Sequence, residues 1–358
     1  MRILAVAGSS GGHIFPALGF LDTLKEKKPD VKTLLVLPRN SIKNNVEISY
    51  KVAFVSVSNI RARVDFKNII ALFGFFRACV ESFFIIICFR PHMVVGFGSL
   101  ASLPIIMFAK AFDVKTVIHE QNVLPGRANM FLSKFVDKIA VSFLKTKLYF
   151  RDYQDKVVFT GNPLRTNLKK VSLKDSLSYF NLNEGVPVVL VVGGSQGSNK
   201  INNTFLELAK SGFKGKALQV IHICGNNDYD YLKEEYDKLK ITVRLFRFLK
   251  DMHYAYSASD LLVSRAGATT ISEIIFFGIP AVLIPYPFAL AHQVANARAL
   301  EETGAAEVIL QEDLNARVLG ESILSILNDP VVYKRMQSGL GKLFTDDVNG
   351  LFIERVLN

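Results

Sequence analysis

Short apolar runs of strand length recur along this chain, each closed by glycine or polar residues and followed by a stretch whose apolar positions return with helical period. In the first half they are Arg2–Ala7, Val31–Leu37, Val52–Val57, Met93–Val95, Thr116–Ile118, Lys138–Val141 and Val157–Phe159. In the second half they are Val186–Val192, Gln219–Ile223, Val243–Leu245, Leu261–Val263 and Ala281–Ile284. Continuous apolar runs of this length, rich in β-branched residues, read as strands buried on both faces. Their alternation with helical segments predicts βαβ units and a parallel sheet.

Glycine-rich turns follow three of these strands: Gly8-Ser9-Ser10-Gly11-Gly12-His13, Gly96-Phe97-Gly98-Ser99 and Gly193-Gly194-Ser195-Gln196-Gly197-Ser198. Glycine lets the backbone approach a ligand closely, and the helix start that follows offers unbonded N–H groups to an anion. A single such turn often serves only as a tight connection. The same strand, glycine turn and helix opening each half instead suggests two similar α/β domains. A polar, lysine-rich stretch from Gly161 to Glu184 separates the apolar regions and places a boundary near residue 163, giving domains over 1–162 and 163–339. The closing segment Val348–Leu357 is apolar with helical period and reads as packing.

Residues 66–89 depart from this pattern. On a helical projection Lys67, Ala71, Gly74, Arg77, Ala78, Glu81 and Ser82 share one face, while Phe73, Phe75, Phe76 and Val80 lie elsewhere, and Phe83 to Phe89 is apolar all round. A buried core helix, an interfacial helix and a bilayer span all fit the length. Arg77 and Glu81 near the centre weigh against a span, and Arg61, Arg63, Lys67 and Arg90 favour an anionic lipid surface.

Composition sharpens this only in part. At 358 residues the chain exceeds what one core usually spans. A net charge of +11 points to an anionic partner, whether nucleic acid, a phosphorylated substrate or an acidic membrane. Cys79, Cys88 and Cys224 lack CxxC spacing and sit in apolar surroundings, so they read as buried thiols in a reducing compartment. The first apolar run, interrupted at once by Gly8–Gly12, makes a poor signal peptide and a good first strand.

Two polar clusters carry candidate chemistry. His119-Glu120-Gln121-Asn122 stands at the carboxyl end of a strand, where open α/β sheets place their ligands, although such residues also cap helices. Ser264-Arg265-Ala266-Gly267-Ala268-Thr269-Thr270-Ile271-Ser272-Glu273 begins as loop and becomes helix, so its first turn can present N–H groups to a phosphate. Glu273, one turn inside, can accept hydrogen bonds from sugar hydroxyls or simply favour the helix dipole. The helix from His292 and Gln293 to Leu300 can face the same cleft.

In order, GSSGGHIFPA, VVGFGS, HEQN, GNPLR, GGSQGS, SRAGATTISE and HQVANA together resemble the MurG family of bacterial peptidoglycan glycosyltransferases, which are similar to family 28 enzymes. The resemblance covers nearly the whole chain. It implies the GT-B fold, two Rossmann-like, doubly wound parallel-sheet α/β domains facing a central cleft, with a C-terminal helix over about 340–358 packing back on the first. The implied activity is inverting transfer of N-acetylglucosamine from UDP-GlcNAc to the C4 hydroxyl of the muramoyl-pentapeptide in lipid I, an undecaprenyl-linked acceptor, giving lipid II and UDP. Cell shape and division depend on that step. The partners implied are the two substrates, an anionic membrane surface and other cell-wall synthesis proteins, with no nucleic acid, at the cytoplasmic face of the plasma membrane.

The same resemblance assigns roles. It places uracil near Leu249, ribose on Glu273, and diphosphate near Ser195 and the helix of Ala268, Thr269, Thr270, Ile271 and Ser272, with Arg165 as a fixed charge. Gln293 would bond the transferred sugar, and Asn122 with Ser10, Gly11 and Gly12 would complete the site. His13 is the candidate general base and Glu120 the alternative. No cofactor or metal is implied, since Arg165 and a helix N-terminus can stabilise the departing diphosphate. Because lipid I is membrane-anchored, peripheral docking through Phe73, Phe76, Val80, Phe83 and Phe84 follows. Four positions depart from the family pattern: Ser9-Ser10 for Gly-Thr, His92 for aspartate and Ser99 for glycine. The competing readings are a GT-B glycolipid synthase with a diacylglycerol acceptor, a sugar-nucleotide 2-epimerase, and a non-catalytic UDP-sugar-binding scaffold.

Overall fold

The computed structural model describes residues 1–39, 41, 48–57, 66–194, 197–288 and 291–357, the side chains of 66–72 excepted. The chain forms two compact units, Met1–Thr166 with Asp347–Asn358, and Asn167–Asp346. The first crossing thus falls four residues after the compositional boundary at 162/163, and the second seven residues after 339/340.

In the first unit β1 (Arg2–Ala7), α1 (Gly11–Lys27), β2 (Lys32–Pro38), β3 (Val52–Val55), α2 (Phe66–Phe89), β4 (Met93–Phe97), α3 (Ser102–Ala111), β5 (Lys115–Glu120), α4 (Arg127–Leu132), β6 (Lys138–Val141) and β7 (Val157–Phe159) alternate along the chain. The strands form a seven-stranded sheet in the order β3-β2-β1-β4-β5-β6-β7, parallel throughout. Alternation on β1 shows how the apolar runs are used: Ile3, Ala5 and Ala7 join a core with α1, while Leu4 and Val6 join the opposite core with α3. A sheet buried on both faces needs continuous apolar strands, hence the runs seen in the sequence.

The second unit holds α5 (Leu173–Tyr179), β8 (Val188–Val192), α6 (Asn199–Lys210), β9 (Gln219–Ile223), α7 (Tyr229–Asp237), β10 (Thr242–Phe246), α8 (Met252–Ala258), β11 (Leu261–Ser264), α9 (Ala268–Phe277), β12 (Ala281–Leu283), α10 (His292–Glu301), β13 (Ala306–Val308), α11 (Ala316–Asn328) and α12 (Pro330–Gly341). Its six-stranded parallel sheet runs β10-β9-β8-β11-β12-β13. The edge strand β13 carries no apolar run, since Glu307 sits at its centre, and sequence pattern alone passes over it. The last helix, α13 (Val348–Leu357), belongs to the first unit. Its Phe352 is fully buried against Phe20, Phe97 and His119, and Asn349 bonds both the N–H and the C=O of Leu164.

Helix α2 inverts the usual amphipathic rule. Ala78, Ser82 and Ile86 are buried, whereas Phe73 is 73% exposed, Phe76 68% and Phe84 58%, with Val80 also outward. Phe83 is the exception among the expected contact residues, half-buried with its ring against Phe108 and Phe112 of the α3 region. Small residues let the helix lie close, and Glu81 turns inward because donors meet it: Arg39 and Arg77 at 3.0 Å each and the Ser56 N–H at 2.6 Å. Among the described residues no helix is long and apolar enough to cross a membrane. Cys224 is buried and Cys79 partly so, but Cys88 is exposed, contrary to the expectation of three buried thiols, because it lies on the outward side of α2. Arg61 and Arg63 lie outside the described residues, as do most of 38–51 between Asn40 and Glu47.

Burial of the Glu81 carboxyl would raise its pKa, but the bonds from Arg39, Ser56 and Arg77 outweigh it and hold it below the usual range. A depressed folded value stabilises above the unfolded pKa of about 4.3 and loses that contribution as pH falls through the folded one. Glu81→Gln should therefore cost about 1–3 kcal/mol at neutral pH, with the gap to wild type closing below about pH 4. Denaturant unfolding across that range checks this.

Candidate active site

Each sheet reverses its strand order once, and a ligand crevice opens at that point beyond the carboxyl ends of the strands. In the first unit the reversal lies between β1 and β4, in the second between β8 and β11. All three glycine turns of the sequence stand at these two places.

In the first unit, α1 starts at Gly11, so His13 belongs to its first turn. Ser10 is the N-cap with an extended backbone, and its carbonyl accepts from the N–H groups of both His13 and Ile14 at 3.0 Å. The Ser10 hydroxyl lies 3.2 Å from His13 Nδ1. Gly8 and Gly98 wall the imidazole: a Cβ on Gly8 would strike His13 Nδ1 and Ser99, and one on Gly98 would come within 3.1 Å of Nε2. Hence the departure at Ser10 supplies the His13 ring with a partner. The departure at His92 is conservative in function, since its Nδ1 accepts from the Arg2 N–H at 3.0 Å and ties the starts of β1 and β4. Ser99 occupies the left-handed region at φ 74°, where glycine is favoured, and its hydroxyl accepts from the Ala101 N–H.

The HEQN residues separate into different tasks. His119 is fully buried, with Nε2 3.1 Å from the Gly161 carbonyl and Nδ1 3.1 Å from Gln121 Nε2. Burial pushes its pKa down to about 3, so the ring is neutral and acts as a strut. Glu120 is 2% exposed, and its carboxylate accepts from the N–H groups of Asn122 and Gly126 and from the amides of Asn122 and Asn129. A carboxylate so occupied ties Asn122, Gly126 and Asn129 together. Arg165 belongs to the first unit, its guanidinium 4.4 Å from the centre of the Phe15 ring, and not to the second as its place after residue 162 suggested.

In the second unit the glycines after β8 are sterically required. A Cβ on Gly193 would collide with the backbone of Gly197–Ser198, and one on Gly197 with the Cys224 carbonyl. Ser195 lies outside the described residues. Beside this turn, α9 begins at Ala268, with Gly267 as its N-cap. Among the described residues Thr269 Oγ1 is buried with no hydrogen-bond partner, the Ser272 hydroxyl donates to the Ala268 carbonyl at 2.9 Å, and Thr270 is half-buried. Ile271 has no exposed surface, and its N–H bonds the Gly267 carbonyl at 2.9 Å. Glu273 is buried and accepts from the Tyr256 hydroxyl at 2.7 Å. Gln293 Oε1 accepts from the Tyr286 N–H at 3.0 Å. Leu249, 7% exposed, lies in the loop between β10 and α8.

Within the second polar cluster, the sequence assigned Arg265 no role of its own. Arg265, directly after β11, is 9% exposed and reaches Ser198 Oγ at 2.8 Å and Gln311 Oε1 at 2.6 Å. A charged residue ending an apolar run beside the glycine turn was the available signal. Among the described residues no group of three His, Cys, Asp or Glu side chains is placed to hold a metal ion.

Residues 3–141 match the glycosyltransferase family 28 N-terminal domain and residues 188–349 the glycosyltransferase family 28 C-terminal domain. The chain is 35% identical over 344 residues, 94% of each chain, to the UDP-N-acetylglucosamine--N-acetylmuramyl-(pentapeptide) pyrophosphoryl-undecaprenol N-acetylglucosamine transferase of Caldanaerobacter subterraneus subsp. tengcongensis. The enzyme of that name from Acetivibrio thermocellus is 33% identical, covering 92% of this chain and 90% of its own. Among solved structures, Acinetobacter baumannii MurG superposes with a TM-score of 0.79 at 22% identity over 99% of both chains. A UDP-GlcNAc 2-epimerase from Neisseria meningitidis gives 0.65 at 15% over the full length of both. The fold is GT-B.

If Glu120 holds the loop, Glu120→Ala leaves several buried donors unmet and should cost at least about 2 kcal/mol. Thermal unfolding checks this; an unchanged midpoint would leave the carboxylate free for chemistry.

Proposed function

The chain belongs to glycosyltransferase family 28 and, within it, to the N-acetylglucosaminyltransferases of peptidoglycan synthesis, and from that premise we infer the reaction it performs. It transfers N-acetylglucosamine from UDP-GlcNAc to the muramoyl-pentapeptide of undecaprenyl-linked lipid I, releasing UDP and lipid II. The observation that carries this is the similarity over 94% of both chains to an enzyme of that activity, which leaves no domain of either unaccounted for.

The site supports an inverting displacement. His13, at the first-unit crevice, takes the proton of the acceptor's C4 hydroxyl as that oxygen attacks the anomeric carbon. The bond from that carbon to the diphosphate oxygen breaks on the opposite face, and its electron pair leaves with UDP. A base must be oriented before it is useful, and the Ser10 hydroxyl at Nδ1 directs the other ring nitrogen to the proton. The donor's diphosphate belongs at the second-unit crevice, with Ser195 and the N–H groups of Ala268 to Thr270 as its partners, and its ribose beside Glu273. Asn122 and Gln293 meet the sugar. The chemistry assigned to these residues needs no metal.

We further propose that the enzyme docks peripherally on the cytoplasmic face of the membrane through α2. The outward Phe73, Phe76, Val80 and Phe84 support this, since a soluble protein seldom leaves such a row uncovered.

Radiolabelled N-acetylglucosamine should pass from UDP to a soluble lipid I analogue with EDTA present. His13→Ala should lower the rate by at least about a hundredfold with UDP binding unchanged; loss of both would make His13 structural. Phe76→Glu with Phe84→Glu should abolish flotation with anionic vesicles at low salt while transfer to the soluble acceptor persists.

A further inference from the structure

We propose that Arg265 is the positioning residue for the donor's diphosphate, its buried charge held behind the second-unit crevice for a nucleoside diphosphate to neutralise. The inference rests on the nucleotide-sugar reading above and adds to it a residue that motif position did not single out.

Every described partner of the guanidinium is neutral. Nη1 donates to the carbonyls of Ile284 at 3.1 Å and Pro285 at 3.4 Å, and Nη2 to Ser198 Oγ and Gln311 Oε1. Its carbon also lies 5.4 Å from the centre of the Tyr286 ring. No carboxylate pairs with it among the described residues. Burial lowers its pKa, with only Tyr286 acting the other way, yet an arginine does not give up its proton in a protein. A buried charge without a counterion is a standing cost, tolerated where a ligand supplies the missing charge.

Its place identifies that ligand. Arg265 leaves the end of β11, the strand beside β8 at the reversal of the sheet. Its contact Ser198 is the N-cap of α6, the residue that closes the glycine turn. Two residues on, Gly267 caps α9. The cation therefore sits between two helix starts whose dipoles already favour an anion. Two negative phosphates suit this position, and the uncharged nucleoside does not. The bonds to Ile284 and Pro285 come from the strand leading towards Tyr286, whose N–H holds Gln293. One side chain thus links the glycine turn to the segment presenting the sugar-binding glutamine.

The test compares UDP with uridine by calorimetry on the full chain. Arg265→Lys keeps the charge and Arg265→Gln removes it; both lose the forked geometry. Arg265→Gln should weaken UDP about 10- to 100-fold and uridine less than about twofold, while Arg265→Lys retains most UDP affinity. Gln311→Leu, which removes one neutral partner away from the turn, should weaken UDP about threefold without touching uridine, and it decides the matter if Arg265→Gln does not fold. Equal losses for UDP and uridine in these variants, or lysine and glutamine behaving alike towards UDP, would overturn the proposal and leave Arg265 a packing residue. Wild-type protein binding neither UDP nor uridine would instead remove the nucleotide-sugar reading and this inference with it.

Discussion

Close approach of backbone to backbone at the carboxyl edges of the two sheets is the constraint on which the sites depend. After β8 the chain must turn within a few residues into α6, and Gly193 and Gly197 pass so near to neighbouring carbonyl and amide groups that no side chain fits. After β1 the same economy brings His13 against Gly8 and Gly98. Without these turns the helix starts would stand away from the strand ends, and the crevices would lose their N–H groups and their histidine. The apolar strands supply the rigidity that makes the approach possible, since a sheet buried on both faces cannot yield to relieve it.

Around that frame, buried polar groups divide into those satisfied within the protein and those left for a ligand. Glu120 and His119 are of the first kind, their acceptors and donors taken up by the loop they organise. Among the described residues Thr269 Oγ1 has no hydrogen-bond partner, and Arg265 has only neutral ones. The first unit therefore holds the His13 ring in a finished cradle, while the second keeps a buried charge with no described carboxylate beside it. This division suits a transferase, in which a base must be oriented in advance and a leaving diphosphate must find charge waiting.

Helix α2 follows a different logic from every other helix here. Ala78, Ser82 and Glu81 face the protein, while Phe73, Phe76 and Phe84 face out. Closeness to the neighbouring elements and the three donors around Glu81 compensate for the inward carboxylate. The exposed apolar face is what the proposed membrane docking rests on.

Much of this was legible in the sequence because period and punctuation are local. Twelve of the strands, the parallel alternation and the three glycine turns follow from apolar runs and the residues that end them, and the ordered motifs carried the family. Other features depended on what the tertiary structure brings together. The strand at Ala306–Val308 exists because β12 offers it an edge, although Glu307 spoils its pattern. Glu120 as an organiser of its loop, Ile271 as core, Arg165 over Phe15 and Arg265 behind the glycine turn all turn on partners distant in sequence or on side-chain direction. Periodicity determines which residues must be buried and where the chain must bend. Which carboxylate is already occupied, and which cation still lacks a counterion, is decided only when the fold closes, because hydrogen bonds and charges are satisfied in space and not along the chain.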